Sequence, residues 1–163
     1  MTSDSQQDRK ATRRDVLKMA GALAGGCAAP SVAVGAASAT PAEMRAAVAS
    51  VVGEARISVG KVKLDIPPLV ENGNTVPCTV TVDSPLTAAD HVKAIHVFAE
   101  RNPQPYVFSI QLGPRAGRAS ISTRIRLRDT QNVLAIAELS DGTFWSDRVN
   151  VIVTIGACLE DVL

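Results

Sequence analysis

Two cysteines hold most of the chemistry that this sequence offers beyond its first 39 residues. Cys78 alternates with valines at positions 76, 80 and 82, so it is predicted to point into a core as a small apolar side chain. Cys158 follows the last apolar alternation, where we expect an exposed thiol that can reach into another protein. Such a thiol makes Cys158 the functional candidate of the two. An incidental tail cysteine and a Cys78–Cys158 disulfide are the alternatives.

The two histidines offer little as a metal site. His91 and His96 have opposite strand parity, so one strand cannot direct both toward a zinc or copper ion. His91 is expected in solvent at the entrance of a strand. No Ser-His-Asp order, Gly-rich phosphate loop or close carboxylate motif is present, and the acidic pair Glu160-Asp161 is expected to be solvated. We therefore predict no catalytic residue, metal or cofactor.

Three arginines follow one another with period two. Arg124, Arg126 and Arg128 alternate with apolar residues, which places them on the outer face of one predicted strand. Such a stripe can bind a partner or an inorganic anion. It can equally protect an edge strand from aggregation.

A β framework must position these residues, because almost everything after residue 55 alternates with period two. Turn residues such as Asn72-Gly73-Asn74, Asn102-Pro103 and Asp141-Gly142 separate the runs. About seven short strands at this spacing predict an all-β, antiparallel β-sandwich. The runs are Val62 to Ile66, Val76 to Val82, Ile95 to Ala99, Tyr106 to Leu112, Ala119 to Leu127, Val133 to Leu139 and Val149 to Ile155.

One short N-terminal helix, within residues 40–54, precedes the strands. Thr40-Pro41-Ala42-Glu43 reads as a capping box with proline in the first helical position, and Gly53 can end the helix. Its apolar side is expected to pack on an open side of the sandwich. The sixth strand carries Leu134 and Ile136 on a second apolar face, which must be covered by this helix or by a partner subunit.

Residues 1–39 are interpreted as a twin-arginine signal peptide. Arg13-Arg14 stands before a weakly apolar run, and Ala37-Ser38-Ala39 supplies small residues for signal peptidase. This predicts export by the twin-arginine route to the periplasm and a mature chain that begins at Thr40. A frayed N-terminal helix is the alternative.

Length and charge narrow the remaining function classes. The 163 residues suit one domain with a core. The net charge is +1, and residues 40–163 hold 12 Lys and Arg against 13 Asp and Glu, which argues against a general nucleic-acid binder. No apolar run reaches the roughly 18 residues of a spanning helix.

Beyond these patterns, residues 40–163 resemble the SoxY family, the sulfur-carrier subunit of bacterial thiosulfate oxidation. The order and spacing of the matching segments carry the resemblance, together with the twin-arginine signal. The segments are Ile66-Pro67-Pro68-Leu69-Val70-Glu71-Asn72-Gly73, Val76-Pro77, Asp83-Ser84-Pro85, Asn102-Pro103, Thr123-Arg124-Ile125-Arg126-Leu127, Ser140-Asp141-Gly142 with Trp145, and Val153-Thr154-Ile155-Gly156-Ala157-Cys158.

This resemblance implies an immunoglobulin-like sandwich over residues 55–156 and a C-terminal arm over residues 157–163, with Cys158 as the attachment residue. It implies a carrier and not an enzyme. The implied partners are a SoxZ-like sandwich subunit in a heterodimer, a thiosulfate-coupling cytochrome, a sulfate-releasing hydrolase and a sulfane dehydrogenase. It also favours the SoxZ-like subunit as the cover over Leu134 and Ile136.

The arm departs from the family pattern. The usual arm is Gly-Gly-Cys-Gly-Gly, whereas this chain reads Gly156-Ala157-Cys158-Leu159-Glu160 and continues to Leu163. Glycines keep such an arm slim and mobile, and only one is present here. The alternative function is therefore a SoxY-type interaction subunit that pairs with a SoxZ-like protein without carrying sulfur.

Overall fold

The computed structural model describes residues 39–157, which form one helix and nine strands. The helix is α1 (Pro41–Val52). The strands are β1 (Ile57–Val59), β2 (Val62–Asp65), β3 (Leu69–Asn72), β4 (Val76–Val82), β5 (Val92–Ala99), β6 (Tyr106–Gln111), β7 (Ser120–Ile125), β8 (Gln131–Leu139) and β9 (Phe144–Ile155).

The strands form two sheets, and the predicted all-β sandwich with one short helix is confirmed. The larger sheet has the order β1-β9-β8-β5-β6, with β3 beside the second half of β9. The smaller sheet has the order β2-β4-β7. The larger sheet is therefore five strands across, against three in the smaller sheet, and β6 and β7 are edge strands of the two sheets.

Two strands, β1 and β3, are additional to the seven predicted. Both pair in parallel with β9, with Ile57 opposite Phe144 and Leu69 opposite Ile152, so the larger sheet is mixed rather than wholly antiparallel. Neither has the alternation of buried residues that marks the four-residue strand β2, because Val70 is the one buried residue in these two strands. β9 can pair with both because it has 12 residues and begins at Phe144.

The main core lies between the sheets, where the predicted parity is confirmed. On β4, Val76, Cys78, Val80 and Val82 are all buried. They face buried residues of the larger sheet, among them Ile95, Val97, Val133, Ala135, Ala137 and Val151. The alternation on β4 therefore reflects one buried face, because the residues between the buried ones point to solvent.

The predicted capping box at the start of α1 is present. The backbone N–H of Glu43 donates to Thr40 Oγ1 at 3.3 Å, and the N–H of Thr40 donates to Glu43 Oε2 at 2.6 Å. Pro41 occupies the first turn, and Gly53 ends the helix at φ +61°. Within residues 39–157, no helix combines the length and hydropathy that a membrane crossing requires.

A second core lies between α1 and the outer face of the larger sheet. Met44 and Val52 of α1 pack with Phe98, Leu134, Ile136 and Phe144. Ile136 is fully buried and Leu134 is 7% exposed. The expectation that a partner subunit covers this face is wrong, because the chain's own helix covers it.

Candidate functional site

The end of β9 positions the residue that precedes Cys158. Gly73 donates its N–H to the carbonyl of Ile155 at 2.7 Å, and Ala157 donates its N–H to the carbonyl of Leu127 at 3.0 Å. The last described residue is therefore still bonded to the sandwich. Cys158 and the rest of the predicted arm lie outside the described residues, as does the predicted signal peptide up to residue 38.

Two glycines allow three chain segments to meet at this point. A Cβ on Gly156 would lie 1.8 Å from the carbonyl oxygen of Arg128, and one on Gly73 would lie 2.1 Å from that of Leu127. No real Cβ tolerates such distances, so any larger residue would push the segments apart. Gly156, which the sequence suggested as a source of mobility, here serves close packing.

A buried amide pair holds the segment on which Ala157 rests. Asn102 Nδ2 donates to the carbonyl of Arg126 at 2.8 Å, and the N–H of Arg128 donates to Asn102 Oδ1 at 3.1 Å. Gln131 Nε2 donates to the same Oδ1 at 3.0 Å. Both amides are at least nine-tenths buried, so they fix residues 126–128 against the body of the sandwich.

Sequence reasoning missed this pair. Asn102-Pro103 was interpreted as a turn, and Gln131 lay before the predicted start of its strand. A signal was available at Gln131, which shares parity with the buried Val133 and Ala135 of β8. A polar residue on an inward-facing parity is informative, because a buried amide must find partners.

Cys78 is confirmed as a core residue. Its side chain is 1% exposed and its thiol is free. Burial raises the pKa of Cys78 to about 11, so at neutral pH the group is a thiol and not the nucleophilic thiolate. Cys78 is therefore unsuited to exchange chemistry in the folded protein.

The histidines are more buried than the sequence suggested. His96 is 7% exposed, its Nδ1 lies 2.8 Å from Tyr106 Oη, and its Nε2 has no hydrogen-bond partner among the described residues. Burial lowers the pKa of His96, and the charge of Glu138 partly offsets this. The expectation that His91 lies in solvent is wrong, since it is half-buried with Nδ1 enclosed. Among residues 39–157, no three His, Cys, Asp or Glu side chains group as a metal site would require.

The arginine stripe is shorter than predicted. β7 ends at Ile125, so only Arg124 lies on the strand. Arg124 and Arg126 are exposed, whereas Arg128 is half-buried with its backbone bonded to Asn102. β7 is an edge strand, as the edge-protection interpretation requires.

Comparison with known proteins identifies the family. The family model described as "Sulfur oxidation protein SoxY" matches residues 48–158, which is more than half of the chain. The chain belongs to the SoxY family. The match extends to the position of Cys158, one residue beyond the bonded Ala157. No curated protein matches this SoxY-family chain in sequence.

Solved structures agree with this assignment. The sulfur carrier protein SoxY from Chlorobium limicola f thiosulfatophilum is 26% identical, with a TM-score of 0.59, over 70% of this chain and 98% of that one. A superoxide reductase from Ignicoccus hospitalis is 17% identical, with a TM-score of 0.52, over 58% and 80% of the two chains. Another, from Nanoarchaeum equitans, is 12% identical, with a TM-score of 0.50, over 59% and 100%. The reductases share the fold alone, whereas the SoxY likeness and family match support a carrier role in sulfur oxidation.

Proposed function

We propose that this SoxY-family protein carries thiosulfate-derived sulfur covalently on Cys158 and presents it to partner enzymes. The observation that supports this most is the burial of Cys78. Of the two cysteines beyond residue 39, Cys78 is 1% exposed with a pKa of about 11. Cys158 follows directly after Ala157, at an end of the sandwich that three chain segments hold in place.

The carrier chemistry needs a single thiol. In the loading step, the Cys158 thiol and thiosulfate form an S–S bond. One proton leaves, and two electrons pass to a coupling cytochrome. The product is a cysteine S-thiosulfonate. Hydrolysis by water then breaks the bond between the outer sulfur and the sulfonate sulfur, which releases sulfate and two protons and leaves a persulfide anion on the cysteine.

The chain's own part in this cycle is presentation. Gly73, Gly156 and the Asn102–Gln131 pair fix the chain as far as Ala157, the residue that directly precedes Cys158. The protein itself supplies no catalytic group in this scheme. The cytochrome, a sulfate-releasing hydrolase and a sulfane dehydrogenase act in turn on the bound sulfur.

Two further features belong to the proposal. The twin-arginine pattern at Arg13-Arg14 supports export to the periplasm. The family supports pairing with a SoxZ-like sandwich subunit. The alternative is an interaction subunit that pairs in this way without carrying sulfur, and it is favoured by the residues after Cys158, which lack the glycines of the usual arm.

Thiol blocking in cells supplied with thiosulfate tests the proposal. A maleimide reagent that adds mass should label Cys158 in the unloaded native protein but not in its S-thiosulfonate form. The persulfide form should be labelled with the additional mass of one sulfur atom. Cys158→Ser should remove all native labelling, whereas Cys78→Val should leave it unchanged, because Cys78 is enclosed. Labelling of Cys158 that thiosulfate never alters would instead favour the non-carrying subunit.

A further inference from the structure

The side of the sandwich between β6 and β7 is open. A cleft of about 480 Å³ lies there, lined by residues of these two edge strands; we call it the β6–β7 cleft. Its lining includes Val107, Phe108, Ile110, Ile121, Ile125, Arg124 and Arg126. The smaller sheet has three strands and the larger sheet is five strands across, with neighbouring strands about 4.8 Å apart. The smaller sheet is therefore too narrow to cover the larger one, and the cleft lies in the part left open.

Apolar side chains of the main core reach this opening. Phe108 and Ile110 on β6 pack against the core yet remain only half-buried. Thr123, which shares the inward parity of Ile121 and Ile125 on β7, is exposed. A strand placed beside β7 would cover all three positions.

The register shows which backbone groups of β7 are free to pair. Val82 at the end of β4 donates its N–H to the carbonyl of Ala119. Backbone hydrogen bonds in an antiparallel pair join every second residue, so the residues of β7 that bond to β4 are the odd-numbered ones up to Ile125. Pro77, which has no N–H, stands opposite Arg124 and fits this alternation. The backbones of Ser120, Ser122 and Arg124 therefore face outward. Beyond them, the same edge is closed by the Asn102 side chain at Arg126 and Arg128.

The positive charge along the β7 edge indicates which kind of partner can bind there. Arg124 and Arg126 are exposed, and neither forms an ion pair within residues 39–157. Arg118, also exposed, lies just before the strand. A β7–β7 pair of two copies would place this basic edge against itself, which like-charge repulsion opposes.

We infer that β7 accepts an added strand from another protein, one that alternates apolar and acidic residues. Backbone bonds to Ser120, Ser122 and Arg124 would extend the smaller sheet by one strand. The apolar side chains would point inward onto Phe108 and Ile110, and the acidic ones outward beside Arg124. This surface is independent of sulfur carriage, because its binding needs no thiol.

A charge-swap measurement with a defined probe tests the inference. The probe is a fluorescent peptide, Val-Glu-Val-Glu-Val-Glu-Val, and its comparison is the same peptide with Lys in place of Glu. The purified chain should bind the Glu peptide at least roughly tenfold more tightly than the Lys peptide. Arg124→Glu with Arg126→Glu should reverse this preference. Arg56→Glu with Arg115→Glu, which changes the net charge equally at exposed sites elsewhere, should leave the preference unchanged.

A second pair of variants tests strand addition itself. Ser122→Pro removes an outward N–H and should abolish peptide binding, whereas Ser122→Ala removes only the hydroxyl and should retain it. Circular dichroism confirms that both variants are folded; if the proline variant is not, the charge swap decides alone. Equal binding of both peptides, or a preference that survives Arg124→Glu with Arg126→Glu, would overturn the inference. The inference would also be overturned if the chain self-associates and Arg124→Glu with Arg126→Glu abolishes that self-association. A second copy of the chain would then be the partner at β7.

Discussion

The outer face of the larger sheet and the β6–β7 cleft are both apolar, yet the chain covers only the first. Under α1, Phe98 and Ile136 are fully buried. At the cleft, Phe108 is half-buried and Thr123 is exposed despite its inward parity. Within residues 39–157, helix α1 covers the outer face of the larger sheet, whereas no element packs over the β7 edge, where Arg124 and Arg126 are exposed.

This contrast separates residues that stabilise the fold from residues that are available to bind a partner. Phe98 and Ile136 under α1 are fully buried, so each contributes more to the free energy of unfolding than a half-buried residue at the cleft. Residues at the cleft contribute less to folding and can still bury surface when a partner binds. Substitutions on the two sides should therefore differ in size and in what they disturb.

The largest expected effect is at Phe98. Phe98→Ala should lower the free energy of unfolding by about 3–5 kcal/mol, because it empties a closed core. Phe108→Ala, its matched control at the cleft, should cost less than about 2 kcal/mol, since Phe108 is only half-buried in the folded chain. Urea unfolding of both variants measures this difference. Equal losses would mean that the cleft is as closed as the face under α1.

Ionisation of Cys78 in alkali is expected to lower the free energy of unfolding by about 2 kcal/mol. Cys78 stands opposite Thr123, so it reports how far the opening of the cleft extends inward. Its pKa of about 11 in the folded chain exceeds the ordinary value of 9.0. Between these values the folded chain holds a proton that the unfolded chain has lost, so stability falls as pH rises from about 9 to 11.

Cys78→Val isolates this contribution. The variant should lose less stability than the parent chain across the same window, by up to about 2 kcal/mol at pH 11, as measured by urea unfolding at several pH values. Parallel pH profiles for the two proteins would show that water reaches Cys78 through the cleft.

The smallest expected effect is at the start of α1. Thr40→Ala removes the side-chain acceptor for the Glu43 N–H and should lower stability by about 1 kcal/mol. Thr79→Ala, which removes an exposed hydroxyl that pairs with Ser122 at 3.0 Å, is the control and should change it by less than about 0.5 kcal/mol. Thermal melts compare them. An equal effect would mean that the cap does not secure the helix over its face.

The sequence predicted those elements whose alternation follows one buried face. β4 was predicted to the residue, and both apolar faces of β8 were recognised, because each strand repeats one parity over seven or more residues. β1 and β3 were not predicted because neither has an alternation of buried apolar residues, whereas β2, with four residues, does. Parity also cannot say what covers a face, which is why the cover over Ile136 was assigned to a subunit and not to α1.

The candidate site was predicted less completely. Burial of Cys78 followed from its parity, but the Asn102–Gln131 pair depends on contacts between distant segments that no local pattern records. The sequence suggested Gly156 as a source of mobility, although it is needed because the Arg128 carbonyl lies beside it. The role of Cys158 rests on the family and stays a prediction.

Peptide mass spectrometry of the protein from cells grown on thiosulfate tests the central claim most directly. Sulfur carriage predicts a thiosulfonate or persulfide adduct on the peptide that contains Cys158, while the Cys78 peptide stays unmodified because its thiol is buried. Cys158 that remains a free thiol under all such conditions, or an adduct found on Cys78 instead, would contradict the account.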